Sequence, residues 1–112
     1  MLLDFSKLDE TSIYKLISNT VTPRPIAWIS TEHNGIVNLA PFSYFIPLSS
    51  EPPMLIVSIG KKEDESPKDT LANFLAGSKV TINFVHKELR AIMSQSATSL
   101  DYTQSEFEHF GI

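Results

Sequence analysis

An Asn-Gly pair set between two runs of alternating residues constrains this chain more than any other feature. Asn34 and Gly35 both tolerate positive φ, the conformation a two-residue type I′ turn needs at both central positions. Before the pair, Ile26, Trp28 and Ser30 alternate with Ala27, Ile29 and Thr31, the period-2 pattern of an extended segment. The pattern predicts an antiparallel hairpin in which Ile36–Ala40 folds back on Pro25–Thr31. The stretch from Pro23 to Ser43 thereby becomes the unit around which the chain is organised. Ser30, Thr31, Asn38 and Ser43 put hydroxyl and amide groups on it, with Arg24 close to the start of the first strand. Such groups can bind a polar ligand, but they also occur on the solvent faces of ordinary strands. Both readings stay open at this point.

Around the hairpin, local chemistry predicts further elements. Asp9 is placed to cap a helix, and Ile13, Leu16 and Ile17 recur at helical spacing to about Asn19. Thr22-Pro23-Arg24-Pro25 stops it, because two prolines cannot continue helical hydrogen bonding. Pro41 and Pro47 bracket Phe42–Ile46, which reads as a short strand confined to an edge or a bulge, followed by a loop over Ser49–Pro52. Pro53–Ile59 is almost continuously apolar, as expected of a central strand buried on both faces. Gly60–Glu65 is a charged turn of the kind that usually forms a solvated face. In the next helix Ser66 can be the N-cap, Pro67 suits the first position, and Asp69 stands where a capping-box acid would. Leu71, Phe74 and Leu75 supply its apolar stripe, and Gly77 ends it. A helix start presents unpaired N–H groups that suit a phosphate, to which Lys68 and Thr70 would add a cation and a hydroxyl. Capping alone explains Ser66 and Asp69, and the Asp69 charge opposes an anion. Lys79–Val85 then reads as a strand with one buried face. A further amphipathic helix begins near His86 and fades through Ser94–Ser99, and Ser105–Phe110 suggests a helical turn.

Bulk properties narrow the function. The 112 residues predict one domain, residues 1–112, with a single modest core. Nine basic against 13 acidic side chains give a net charge of −4, which argues against a nucleic-acid partner. The absence of cysteine excludes disulfides, thiolate metal sites and cysteine catalysis, and fits a cytoplasmic protein. No apolar stretch approaches the roughly 20 residues needed to span a bilayer, so no membrane partner is expected. His33, His86 and His109 lack metal-ligand spacing, and there is no nucleophile elbow, Walker loop or dinucleotide fingerprint. His33 reads as a solvated turn residue. No general acid or base stands out, which suits a protein whose cofactor performs the chemistry.

Several motifs occur together and in order: Pro23-Arg24-Pro25-Ile26-Ala27-Trp28-Ile29-Ser30-Thr31, Asn38-Leu39-Ala40-Pro41-Phe42-Ser43, Glu51-Pro52-Pro53 and Lys68-Asp69-Thr70, then Glu106-Phe107-Glu108 and Gly111. In this the chain resembles the flavin reductase-like family of FMN-binding split barrels, from about Val21 to its C-terminus. The resemblance implies a mainly β fold with helices, a small antiparallel barrel whose open end the first helix would cover. It also implies noncovalent FMN, NADH or NADPH as reductant, and a homodimer with flavin at the interface. The Pro53–Ile59 strand would run under the flavin. Carried onto this sequence, the cofactor-binding positions are Arg24, Ser30, Thr31, Asn38, Leu39, Ala40, Ser43, Lys68, Asp69 and Thr70, with catalytic residues unassigned. Family members continue with further strands, so the barrel is expected to be incomplete at its C-terminal end. The implied activity is that of a flavin reductase. A flavin-binding electron carrier of the flavoredoxin kind, or an inactive truncated chain, are the alternatives.

Overall fold

In the computed structural model, which describes residues 1–112, Asn34 and Gly35 have φ values of 52° and 78°. These are the two left-handed residues of a type I′ turn. The strands they join, β1 (Ala27–His33) and β2 (Ile36–Phe42), pair antiparallel from His33–Ile36 at the turn to Ala27–Phe42 at the open end. The expected hairpin is therefore present, with β2 running two residues further, to Phe42, and β1 displaced two residues towards the turn.

The following region departs from expectation. There is no separate strand over Phe42–Ile46: β2 runs through Phe42, the chain bends at Ser43 and Tyr44, and β3 (Phe45–Ser50) starts beyond the bend. Ser49 and Ser50 belong to β3 and not to a loop. Pro47, which lacks an N–H, is accommodated by a register shift between Pro47 and Ser49 where β3 meets β4 (Pro53–Val57). β4 is not a central strand. It pairs with β3 alone, and Met54, Leu55 and Ile56 are exposed. A continuous apolar run suits a doubly buried strand, but burial requires layers on both faces, and here β3 and β4 form a two-stranded sheet of their own.

The strand expected over Lys79–Val85 shortens to β5 (Thr81–Asn83), which joins β1 on the side away from β2. Pairing stops at Thr81 because the Glu32 amide beyond it donates to Ser78 Oγ at 3.0 Å. Phe84 is left 75% exposed, so the predicted buried stripe reduces to Ile82.

Asp9 caps α1 (Glu10–Thr20), its carboxylate accepting from the Ser12 amide at 2.8 Å. The helix lies against the β2–β3 bend, where Tyr14 stacks on Tyr44 and Ser18 shares a 2.6 Å hydrogen bond with the Tyr44 hydroxyl. The start of α2 (Asp69–Leu75) differs from expectation. Ser66 is drawn back to the Asp64 carboxylate, and Pro67 pairs with Lys61 in an isolated bridge. Lys68 therefore occupies the cap position without a side-chain cap. The buried face of α2 is also polar: Thr70 and Asn73 are inside while Phe74 and Leu75 face solvent. Gly77 leaves the helix with φ of 95°, as a residue past a helix end commonly does. A 3-10 turn over Lys87–Leu89 leads into α3 (Arg90–Gln95), and α4 (Glu106–Phe110) supplies the expected helical turn near the C-terminus.

The core occupies one face of the three-stranded sheet. Ala27, Ile29 and Phe42 meet Phe45, with Ala40, Val57, Ile59 and Ile82 packed around them. Towards the turn the same face becomes polar and is closed by α2, where Asn38 Nδ2 donates to Thr70 Oγ1 (2.8 Å) and Asn73 Nδ2 to Thr31 Oγ1 (3.0 Å). On the opposite face Trp28 Nε1 donates to Ser96 Oγ at 2.9 Å, and Leu39 is 1% exposed.

Candidate functional site

The side of β2 away from β1 carries no strand, and a cleft of about 90 Å³ opens there. Alternation along β2 turns Asn38, Ala40 and Phe42 towards it. The first turn of α2, with Lys68, Asp69 and Thr70, forms one wall, and the segment from Ser96 to Leu100 forms the other. Glu106 closes the bottom. Pockets that bury a drug-sized ligand measure roughly 300–1,000 Å³, so this cleft alone takes only part of such a molecule. A second depression of about 360 Å³ adjoins it across Pro41, Phe42 and Lys68, and is lined further by Tyr14, Ser43, Tyr44 and Gly60. Lys68 stands at the border, its ammonium 5.8 Å from the centre of the Phe42 ring.

The charges in the cleft are partly matched. Lys62 Nζ reaches Asp69 Oδ1 at 2.6 Å, and this bond holds the Lys62 pKa above its ordinary value. The Lys62–Asp69 pair removes much of the repulsion that Asp69 alone would exert on a bound anion. Lys68 has no ion-pair partner. Glu106 is 3% exposed and accepts from the Leu39 amide at 2.8 Å through Oε2. Burial raises its pKa above the ordinary 4.5, and the Leu39 hydrogen bond offsets part of that rise.

Five of the ten expected positions thus meet in one cleft: Asn38, Ala40, Lys68, Asp69 and Thr70. Ser43 lines the adjoining depression. Leu39 turns its side chain to the opposite face and contributes its backbone at the cleft's edge. Ser30 and Thr31 border a separate hollow with Glu32 and Ser78, and Thr31 is itself buried under Asn73. Arg24 is engaged elsewhere. Its guanidinium donates to the carbonyls of Ser43 (3.1 Å), Ser18 (2.7 Å) and Val21, and lies 5.1 Å from the Tyr44 ring centre.

Other cleft residues escaped notice in the sequence. Lys62 read as one member of a solvated charge run. It reaches Asp69 because the Lys61–Pro67 bridge and the Lys62 N–H bond to the Ser66 carbonyl fold the loop back on α2. The Ser96–Ser99 wall looked like a fading helix end, and the Trp28–Ser96 bond ties it to the sheet. Glu106 lay in a motif with no role attached. His33, read as a solvated turn residue, ends β1 and is half-buried, with its ring 5.8 Å from that of Tyr102.

The model of the flavin reductase like domain matches residues 19–112. The chain belongs to the flavin reductase-like family. An uncharacterized protein of Deinococcus radiodurans is 38% identical over 97% of this chain and 50% of its own length. One from Aquifex aeolicus is 37% identical over 93% and 54%. Among solved structures, nitrilotriacetate monooxygenase component B from Bacillus cereus is similar with a TM-score of 0.89 at 27% identity, over 97% of this chain and 54% of that one. The 2-nitrobenzoate 2-nitroreductase NbaA of Pseudomonas fluorescens gives 0.85 at 28%, over 99% and 52%. A Shewanella frigidimarina protein with a split barrel domain gives 0.75 at 22%, over 97% and 55%, a likeness of fold alone. The fold of this flavin reductase-like chain is therefore of the split-barrel kind, with two open sheets in place of a closed barrel. The chain spans about half the length of the relatives it matches.

Proposed function

We propose that this chain is the flavin-binding part of an FMN-dependent oxidoreductase that accepts reducing equivalents from NADH or NADPH, as a flavin reductase does. One observation carries the reading: Asn38, Ala40, Lys68, Asp69 and Thr70, drawn from two separate family motifs, line a single cleft that contains an unpaired ammonium and a neutralised carboxylate. FMN fits this set of residues. Lys68 and the Thr70 hydroxyl suit its phosphate, with Lys62 holding Asp69 in check, and the small Ala40 side chain leaves room beside β2. The adjoining depression along Phe42 and Ser43 offers space for the ring system. Arg24 would act indirectly, by holding the Ser43 carbonyl, while Ser30 and Thr31 would support the strand from behind. Bound flavin would supply the hydride-accepting chemistry, and the chain would position it and limit its contact with water. The redox names of the two similar structures, a monooxygenase component and a nitroreductase, agree with this class of reaction.

The exposed apolar residues of β3 and β4 support a homodimer, because Ile46 and Leu55, on opposite faces of this two-stranded sheet, otherwise stay in water. We place the protein in the cytoplasm, where nicotinamide nucleotides are at hand; no helix is long and apolar enough to cross a membrane. The test is binding of FMN against riboflavin, followed by fluorescence quenching. Two charge-assisted hydrogen bonds to phosphate, each contributing about 1.5–3 kcal/mol, predict at least roughly a hundredfold preference for FMN. Equal affinity would remove the phosphate assignment. Adding NADH or NADPH should then bleach the flavin absorbance; a bound flavin that neither nucleotide reduces points to an electron carrier.

A further inference from the structure

The two-residue turn makes His33 and Ile36 a hydrogen-bonded pair, so Val37, Leu39 and Pro41 direct their backbone groups away from β1. No strand meets them there. The start of α4 and the residue before it do so instead: Ser105 Oγ donates to the Val37 carbonyl at 2.6 Å, and the Leu39 amide donates to Glu106 Oε2 at 2.8 Å. Pro41 has no N–H to satisfy. Ser105 shows that a neutral side chain can serve this edge, yet at Leu39 the acceptor is a carboxylate buried to 3% exposure. Leu39 stands between Asn38 and Ala40, two of the β2 residues that line the cleft, and Glu106 lines that same cleft.

We propose that Glu106 is a positioning residue for the flavin: by holding the Leu39 amide at the outer edge of β2, it sets where Asn38 and Ala40 stand in the cleft. This rests on the FMN reading above. A strand edge without a partner can shift or fray, and a displacement of Leu39 moves both neighbours, because alternate residues share one backbone. The charged groups sharing the cleft with Glu106 are Asp69, Lys62 and Lys68. Asp69 is bonded to Lys62, so the Leu39 amide is the hydrogen-bond donor that holds the Glu106 carboxylate.

The test measures FMN affinity by fluorescence quenching in four proteins shown to be folded by circular dichroism: the natural chain, Glu106→Ala, Glu106→Gln and Ser105→Ala. Loss of the charge-assisted bond in Glu106→Ala should weaken FMN binding about tenfold or more. Glu106→Gln keeps a neutral carbonyl acceptor and should recover part of that loss, binding FMN several-fold more tightly than Glu106→Ala, and Ser105→Ala, whose bond lies outside the cleft, should stay within about threefold of the natural chain. Unchanged binding in Glu106→Ala overturns the proposal, as does a loss in Glu106→Gln equal to that in Glu106→Ala. If Glu106→Ala does not fold, Glu106→Asp, which draws the carboxylate back from Leu39, takes its place with the same expectation, and natural affinity in that variant overturns the proposal. Failure of the natural chain to bind FMN sinks the flavin reading itself. Hydrogen exchange at the Leu39 amide then decides whether Glu106 fixes this edge: faster exchange in Glu106→Ala than in Glu106→Gln supports the role, and equal rates refute it.

Discussion

The two hairpins of this chain are built from similar residues and have opposite fates. The β1–β2 hairpin has α2 on one face, Ser96 against Trp28 on the other, and α4 along its outer edge. Leu39 within it is 1% exposed. The β3–β4 hairpin, equally apolar, is a sheet of two strands that reaches the core only through Phe45 and Val57, and Leu55 is 53% exposed. The difference lies in what is docked on each, since apolar content does not distinguish them. The covered hairpin also carries the cleft, because the elements that bury it bring Lys68, Thr70 and Glu106 to its edge.

The strongest test of this contrast removes Leu39. Leu39→Ala should lower stability by about 2–5 kcal/mol in urea unfolding, as for a fully buried leucine. A much smaller cost would mean that the β1–β2 faces are less firmly covered than their packing implies. Ala40→Leu should weaken FMN by about tenfold or more while the unfolding midpoint changes little, because Ala40 borders the cleft and its side chain is not fully enclosed. A variant that keeps both its stability and its flavin removes Ala40 from the site.

Ser96→Ala deprives the indole N–H of Trp28 of its acceptor and should cost about 1–2 kcal/mol. Trp28 is the only tryptophan in the chain, so its emission reports the change directly. An unaltered spectrum would show that the Ser96–Ser99 wall is not anchored to this face.

The pH dependence should separate two carboxylates. The Glu106 pKa is raised, so the folded state holds that proton more tightly than the unfolded one. Its contribution therefore favours folding at low pH and is lost as pH rises through the raised value. Asp9, lowered by its hydrogen bonds to Ser12, acts in the opposite sense: its stabilisation is present above the ordinary 3.8 and fades as pH falls. Glu106→Gln should flatten the first dependence and leave the second. The smallest effect is expected at the uncovered hairpin, where Leu55→Ala should change stability by no more than about 0.5 kcal/mol in dilute protein. A cost that grows with protein concentration would show that a second copy covers β3 and β4.

Much of the local structure was legible in residue types. Asn34-Gly35 supplied the turn, Asp9 the start of α1 and Gly77 the end of α2. Each of these rests on backbone sterics or a hydrogen bond spanning a few residues. The family motifs likewise pointed to Asn38, Ala40, Lys68, Asp69 and Thr70. Neighbouring residues misled where a nearer partner intervened, as when Asp64 took Ser66 away from the α2 cap.

The sequence by itself determined which segments turn, cap and alternate, because those preferences belong to the residues and their immediate neighbours. Tertiary structure alone decided which apolar strands are buried and which polar groups share the cleft. Asn38 finds Thr70 across 32 positions, and Leu39 finds Glu106 across 67. Burial and hydrogen bonding at such separations depend on which surfaces dock, and no periodicity along β2 or β4 records what will lie against it.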